Sequence, residues 1–454
     1  MTISPHASLS QWLEHLASLH PQGQAGIELG LERVQNTAQA LGQRPFCPII
    51  TVGGTNGKGS TCAYLESIFR AAGYRTGCYT SPHLLHYNER VRIDGQAVSD
   101  SAMCAAFARV EAVRQQLLKA PDVDASKRAA AARLSYFEFG SLAAWEVFAT
   151  AQVDLIILEV GLGGRLDAVN IHDADVAIVT GIALDHTSWL GDTREAIGHE
   201  KAGIFRSGRP AICADAAPPQ SLLRHAQAIG ARLRRLGHDF GYEFDAENRA
   251  QWSFWLHDPE QNTTRRCALA FPGLRGSYQL ANASAALAAV DALQARLPVA
   301  MQAIREGLLN TELPGRFQVL PGKPAVVLDV AHNPQAIMAL TENLGKMGFF
   351  ARTIAVLGML ADKDIASSLR PLQTRIDVWV LCDLPTTRSA GTALLTEIIG
   401  AQSADTTAPE IHCCPDPEAA FRLAREIARE NDRILVFGSF FTVAGAMQQL
   451  AEGK

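Results

Sequence analysis

The run Gly53-Gly54-Thr55-Asn56-Gly57-Lys58-Gly59-Ser60-Thr61 brings glycines, one lysine and a pair of hydroxyls together, just after the apolar run Pro48-Ile49-Ile50-Thr51-Val52 and just before a helical stretch, Cys62 to Ala72. Strand, glycine turn and helix, in that order, form a setting for phosphate. Main-chain N–H groups converge on phosphate oxygens, the helix N-terminus adds positive potential, and the lysine reaches the β- and γ-phosphates. Ser60 or Thr61 could then offer a hydroxyl to Mg2+. The run departs from G-x-x-x-x-G-K-[ST] at two places: Val52 stands at the first glycine position, and Gly59 separates Lys58 from the hydroxyls. A plain glycine turn with a surface lysine is the bland alternative, and the flanking strand and helix argue against it.

Such a loop needs a sheet to present it. Asp154-Leu155-Ile156-Ile157-Leu158 and Val176-Ala177-Ile178-Val179 are further short β-branched runs with helical-length segments between them, the grammar of a doubly wound parallel sheet. The pattern resumes at Ala325–Leu328, Thr353–Leu357, Asp377–Leu381 and Arg433–Phe437, which predicts a second, smaller Rossmann-like α/β unit. Leu313-Pro314-Gly315-Arg316 punctuates the gap, so domains are expected over 1–313 and 314–454. The polar, Trp-containing segment from about Arg232 to Phe271, with antiparallel strands expected around Gln251 to Leu256, has no assigned role.

The chain has 454 residues, 48% of them hydrophobic, and carries 41 Lys plus Arg against 46 Asp plus Glu, a net charge of −5. That balance offers no general attraction for nucleic acid or an anionic membrane, so an anionic substrate must be held by local groups. No apolar run is long enough to span a bilayer, and Met1 to Leu16 lacks a signal-like apolar core, so a cytoplasmic chain is expected. Nine cysteines without a C-x-x-C pair favour neither a disulfide framework nor a thiolate zinc site.

Gly54 to Ser60 resembles the phosphate loop of the Mur-ligase superfamily and in particular of folylpolyglutamate synthases, and further matches follow in order. They are Ser81-Pro82-His83-Leu84, Asn88-Glu89-Arg90-Val91, Tyr136-Phe137-Glu138, Glu159 through Ala168, Ala183-Leu184-Asp185-His186, Glu200-Lys201-Ala202-Gly203, Pro314-Gly315-Arg316-Phe317, Asp329 through Pro334 and Phe437-Gly438-Ser439. Beginning at Ile27-Glu28-Leu29-Gly30, they span nearly the whole chain, and the bacterial bifunctional dihydrofolate synthase/folylpolyglutamate synthases are the nearest in pattern.

The resemblance implies a P-loop ATPase domain joined to a glutamate-ligase domain, and an ATP-dependent ligase working through an acyl phosphate. Its substrates would be dihydropteroate, reduced folates and L-glutamate, its cofactors ATP and Mg2+, and its state a monomer. By resemblance, Ser81, Glu159 and His186 hold the metal, and Thr55, Asn56, Gly57, Lys58, Gly59, Ser60, Thr61, Asn282, Arg316 and Asp329 meet the nucleotide. Lys201 matches a lysine that is carbamylated in related ligases, and its bland alternative is a helix-surface lysine beside Glu200. His332 is expected to be catalytic, with Asn333 and Ser439 beside it to hold glutamate, although Asn333-Pro334 is also an ordinary helix start. The pterin-contacting regions map to Leu19-His20-Pro21, to Ser135, Tyr136, Phe137 and Glu138, and to Leu166, Asp167 and Ala168, with core packing as the alternative for the two aromatics. Rival readings are a monofunctional folylpolyglutamate synthase, a Mur-type cell-wall ligase, and a nucleotide-binding regulatory protein without ligase activity.

Overall fold

A computed structural model describes residues 3–21, 23, 26–120, 124–244, 251–258, 262–402 and 409–452. The first sheet contains β1 (Ile49–Gly53), β2 (Thr76–Tyr79), β3 (Val91–Ile93), β4 (Gln96–Ala97), β5 (Leu155–Glu159), β6 (Val176–Val179), β7 (Pro210–Cys213) and β8 (Arg232–Arg235). Its order is β4-β3-β2-β5-β1-β6-β7-β8, parallel except for β3 and β4. Strand β1 lies between β5 and β6, and the chain leaves it on one side for β2 and later returns on the other for β6. The loop after β1 therefore opens at the point where strand order reverses, which is where open α/β sheets build sites.

Alternation along the strands explains why both faces are covered. Ile156, Leu158, Ala177 and Val179 enter one core, while Ile50, Val52, Ile157 and Ile178 enter the other. The second core also takes Tyr64, Leu65 and Ile68 from helix Lys58–Ala71, and Ala283, Ala286 and Leu287 from helix Tyr278–Leu293. Helix Lys58–Ala71 starts four positions before the Cys62 expected from sequence, because Gly57, at φ +94°, caps it directly from the loop.

Next come β9 (Phe240–Phe244), β10 (Gln251–Asp258) and β11 (Asn262–Ala270), an antiparallel sheet in the order β11-β10-β9. Phe240, Trp252, Phe254, Leu256 and Leu269 from this sheet share the core of helix Tyr278–Leu293. The polar segment without an assigned role thus roofs the helix that carries Asn282. Its residues 245–250 and 259–261 lie outside the described ones.

The last sheet holds β12 (Gln318–Leu320), β13 (Ala325–Leu328), β14 (Thr353–Leu357), β15 (Val378–Cys382), β16 (Glu410–Cys414) and β17 (Arg433–Phe437). Its order is β12-β13-β17-β14-β15-β16, parallel apart from β12. It too feeds two cores by alternation, Leu357, Trp379 and Phe437 on one face and Val356, Val380 and Val436 on the other. All nine cysteines are free. Among the described residues no helix is long and apolar enough to cross a membrane.

Candidate functional site

The loop after β1 is pinned against the end of β6. Thr55 N–H donates to Gly181 O at 2.7 Å, and Thr180 Oγ1 donates to Asn56 O at 2.7 Å. Gly54 has φ +144°, and a side-chain carbon there would fall 1.8 Å from Thr180 Oγ1, so only glycine permits this approach. Lys58 folds back to donate to the carbonyls of Gly54 and Thr55, both at 3.2 Å. Lys201 Nζ donates to the same Gly54 carbonyl at 2.9 Å. Burial, reinforced by the neighbouring Lys58 charge, pushes Lys201 down to about 7, against the pull of Asp185 and Asp167. Lys201 is 4% exposed, which excludes the helix-surface alternative. Ser60 Oγ accepts from Gln279, whereas the buried Thr61 hydroxyl has no hydrogen-bond partner.

Glu159 ends β5, and its Oε2 accepts the Ser81 N–H at 2.9 Å. Burial raises its pKa, and the Lys58 ammonium, the Ser81 N–H and Arg316 oppose the rise. A side-chain carbon at Gly59 would lie 3.7 Å from both Glu159 Oε1 and Arg316 Nη2, so the loop, a strand end of the first sheet and the arginine before β12 meet at one point. Burial, helped by Lys363 and Lys58, pushes His186 down to about 4, leaving a neutral imidazole fit for metal ligation. The Lys58 charge thus acts on both Glu159 and His186. Among the described residues no three His, Cys, Asp or Glu side chains form a metal cluster. Glu159 and the Ser81 hydroxyl offer the hard oxygen donors that suit Mg2+, which takes few protein ligands and completes its shell with water and phosphate oxygens, whereas the His186 imidazole is softer than Mg2+ usually selects.

A second group of contacts joins the two large sheets. Lys363 Nζ donates to Asp185 Oδ1 at 2.6 Å with both side chains largely buried. His332 Nε2 lies 3.8 Å from Asp185 Oδ2. His332 Nδ1 is 2.8 Å from Val330 O, which can only accept, so the proton sits on Nδ1 and Nε2 keeps its lone pair. Burial and Lys363 push this imidazole down to about 4. Burial alone would raise Asp185, but His186, Lys363 and His332 outweigh it and hold the carboxyl well below the usual range. Asn333 caps helix Pro334–Lys346, as a helix start should, and also exchanges amide bonds with Asn56 at 3.0 and 3.2 Å. Gln335 Oε1 accepts from Asn56 at 2.7 Å. Asp329 is pushed up to about 6 by burial, and its oxygens accept the N–H groups of Ala331 and Phe317. Arg316 packs over the Phe440 ring, 5.1 Å from its centroid. Ser439 sits next to that ring, but its hydroxyl pairs with Thr442 at 2.8 Å, so the described contacts give it a helix-start role and do not bring it to the Asp185 cluster.

The three regions mapped for the pterin do converge. His20 Nε2 lies 3.3 Å from Glu28, Arg33 bridges Glu28 and Glu138 at 3.1 and 2.9 Å, and Gly30 N–H donates to Leu166 O at 3.4 Å. Leu19 is partly buried against the adjoining core, and Pro21 is exposed. Glu138 closes a capping box with Ser135 and pairs with Arg33. Tyr136 and Ala168 are buried in the core, Tyr136 edge-on to Tyr87 at 5.7 Å, while Phe137 faces Tyr79 at 5.7 Å. Asp167 is pushed up to about 6 by burial and accepts from Leu162 and Val169.

Sequence reasoning missed Lys363, Asp185, Gln335, Gln279 and Glu28 as site residues. Lys363 follows β14 at its carboxyl end, where such sheets place functional loops, and that position was the available signal.

Residues 315–440 match the family described as Mur ligase, glutamate ligase domain. The dihydrofolate synthase/folylpolyglutamate synthase of Escherichia coli K12 is 43% identical over 97% of this chain and 95% of its own. The structure of E. coli FolC in complex with DHPP and ADP superposes with a TM-score of 0.87 at 42% identity, covering both chains in full. A bifunctional folylpolyglutamate synthase/dihydrofolate synthase with Mn, AMPPNP and L-glutamate bound gives 0.85 at 42% identity, over 99% of this chain and 100% of that one.

Proposed function

The chain belongs to the dihydrofolate synthase/folylpolyglutamate synthase family of Mur-type ligases, and from that premise we infer how its residues divide the work. It is an ATP-dependent ligase that adds L-glutamate to 7,8-dihydropteroate, giving dihydrofolate, and to the glutamate tail of reduced folates. A carboxylate and an amine do not condense at neutral pH unless a carboxyl oxygen becomes a leaving group. The substrate carboxylate attacks the γ-phosphorus, ADP departs, the glutamate amine attacks the acyl carbon, and phosphate leaves.

In this reading Lys58 leaves the Gly54 and Thr55 carbonyls for the phosphates, and Arg316 reaches the same centre from the second unit. Ser81, Glu159 and His186 would hold a divalent cation, which neutralises phosphate charge when bound. Lys201 is the proposed carbamate: an amine pushed down to about 7 is about half unprotonated at neutral pH, and that fraction is nucleophilic toward CO2. The Asp185–Lys363 pair, flanked by His332 and Asn333, offers opposite charges that an amino-acid zwitterion satisfies, and the His332 Nε2 lone pair is placed to take a proton from the amine. The pterin lies against Phe137 and the Leu166–Ala168 turn, with Glu28 rather than Glu138 as the less buried carboxylate. Residues 1–313 and 314–454 are taken as the two units. We place the chain in the cytoplasm, where nine free cysteines would stay reduced, and as a monomer.

The observation that carries this reading is the meeting of Lys58, Lys201, Glu159 and Arg316 around one glycine loop at the strand switch. Purified chain given ATP, Mg2+, L-glutamate and either dihydropteroate or tetrahydrofolate should release ADP only with both glutamate and a pterin present. ADP release indifferent to pterin would overturn the assignment, and use of tetrahydrofolate alone would reduce it to one activity.

A further inference from the structure

Behind the phosphate loop lies a buried amide to which the reaction above gives no role. Gln279, in the first turn of helix Tyr278–Leu293, is fully buried. Its Nε2–H donates to Ser60 Oγ at 3.3 Å, and its Oε1 accepts from Asn282 Nδ2 at 3.0 Å. Gln279 and Asn282 stand three residues apart and share the helix face turned toward the loop. Farther along, that helix packs largely through alanines and leucines.

Each bond fixes a choice that its partner could otherwise make freely. A serine hydroxyl rotates, but once its oxygen accepts from Gln279 its own proton must point elsewhere, which leaves one lone pair to face the loop. Asn282 could turn its amide over, but donating from Nδ2 keeps Oδ1 toward the loop, where a side-chain carbon at Gly57 would be 2.4 Å away. We propose that Gln279 is a positioning residue that couples the Ser60 hydroxyl, on the metal side of the nucleotide, to the Asn282 amide, so that both are set before nucleotide arrives. This inference rests on the nucleotide reading of the loop given above.

The test measures ADP affinity by calorimetry at saturating Mg2+, and the Mg2+ concentration giving half-maximal ADP binding. The chains are wild type, Ser60→Ala, Asn282→Ala and the double variant, each with and without Gln279→Met. Thermal unfolding of each chain reports folding separately. Gln279→Met should weaken ADP binding about tenfold and raise the half-saturating Mg2+ in the wild-type background, yet cost less than about twofold when both partners are already alanine. An equal penalty in every background, or none, overturns the coupling. Should Gln279→Met fail to fold, Ser60→Ala and Asn282→Ala decide alone, since strictly additive penalties would show that nothing links them. Wild-type chain that takes up no ADP would remove the nucleotide reading and this inference together, whereas tight wild-type binding with additive penalties removes the inference alone.

Discussion

Replacing Lys58 with methionine should abolish most turnover while leaving the fold in place. The ammonium bonds two loop carbonyls, at 3.2 Å each, and Lys201 already donates to one of them, so the loop keeps a cationic partner. Loss of these bonds, and of the charge facing buried Glu159, should cost about 1–3 kcal/mol, and relief of repulsion on buried Lys201 offsets part of it. Catalysis loses far more. A preorganised charge aimed at phosphoryl oxygens contributes about 3 kcal/mol or more to the transition state, so kcat should fall roughly a hundredfold or further. Continuous ADP release with saturating dihydropteroate and glutamate reads the rate, and a melting curve reads the fold. A well-folded Lys58→Met chain turning over within a few-fold of wild type would refute the phosphate-gripping role of the loop.

Lys363→Met leaves Asp185 without its ammonium partner, so the KM for L-glutamate should rise roughly tenfold or more while ADP affinity stays within about twofold. Because Lys363 is one of the charges that lower His332 and His186, their pKa values should rise from about 4, and the acid limb of the glutamate-dependent rate should move to higher pH. For Lys201 the sign follows from a folded value of about 7 below the ordinary 10.5. Between these the unfolded chain holds a proton that the folded chain has released, so stability rises as pH climbs through that window, while below it the penalty for burying the charged amine is present in full and independent of pH. Urea midpoints for wild type and Lys201→Met in CO2-free buffer should show that rise only in wild type. Trp252→Ala removes a fully buried ring that also donates to Ala270 O at 2.9 Å, and should cost about 3–5 kcal/mol in urea unfolding.

The strands were legible because their apolar runs are short, β-branched and buried on both faces, and β6 falls on Val176–Val179 as the sequence indicates. The loop was legible because glycine, lysine and hydroxyl spacing is itself the chemistry. The helix start at Lys58 was not, since it depends on a left-handed Gly57 that no periodicity reveals. Glu138 entered the pterin region through resemblance alone, while its capping-box partner Ser135, three residues earlier, was legible from spacing. Asp185 and Lys363 form an ion pair across 178 positions of sequence, and only the packing of two sheets brings them within 2.6 Å. The Trp-bearing segment around β10 gave no functional signal because its role is indirect, as cover for the helix that holds Gln279 and Asn282.

Activation of the carboxylate by phosphorylation is tested most directly with dihydropteroate labelled with 18O in its carboxyl group. After turnover with ATP and L-glutamate, one labelled oxygen should appear in the inorganic phosphate and one should remain in the product amide. Unlabelled phosphate, with the label elsewhere, would contradict an acyl-phosphate route and with it the roles given to Lys58, Glu159 and Arg316.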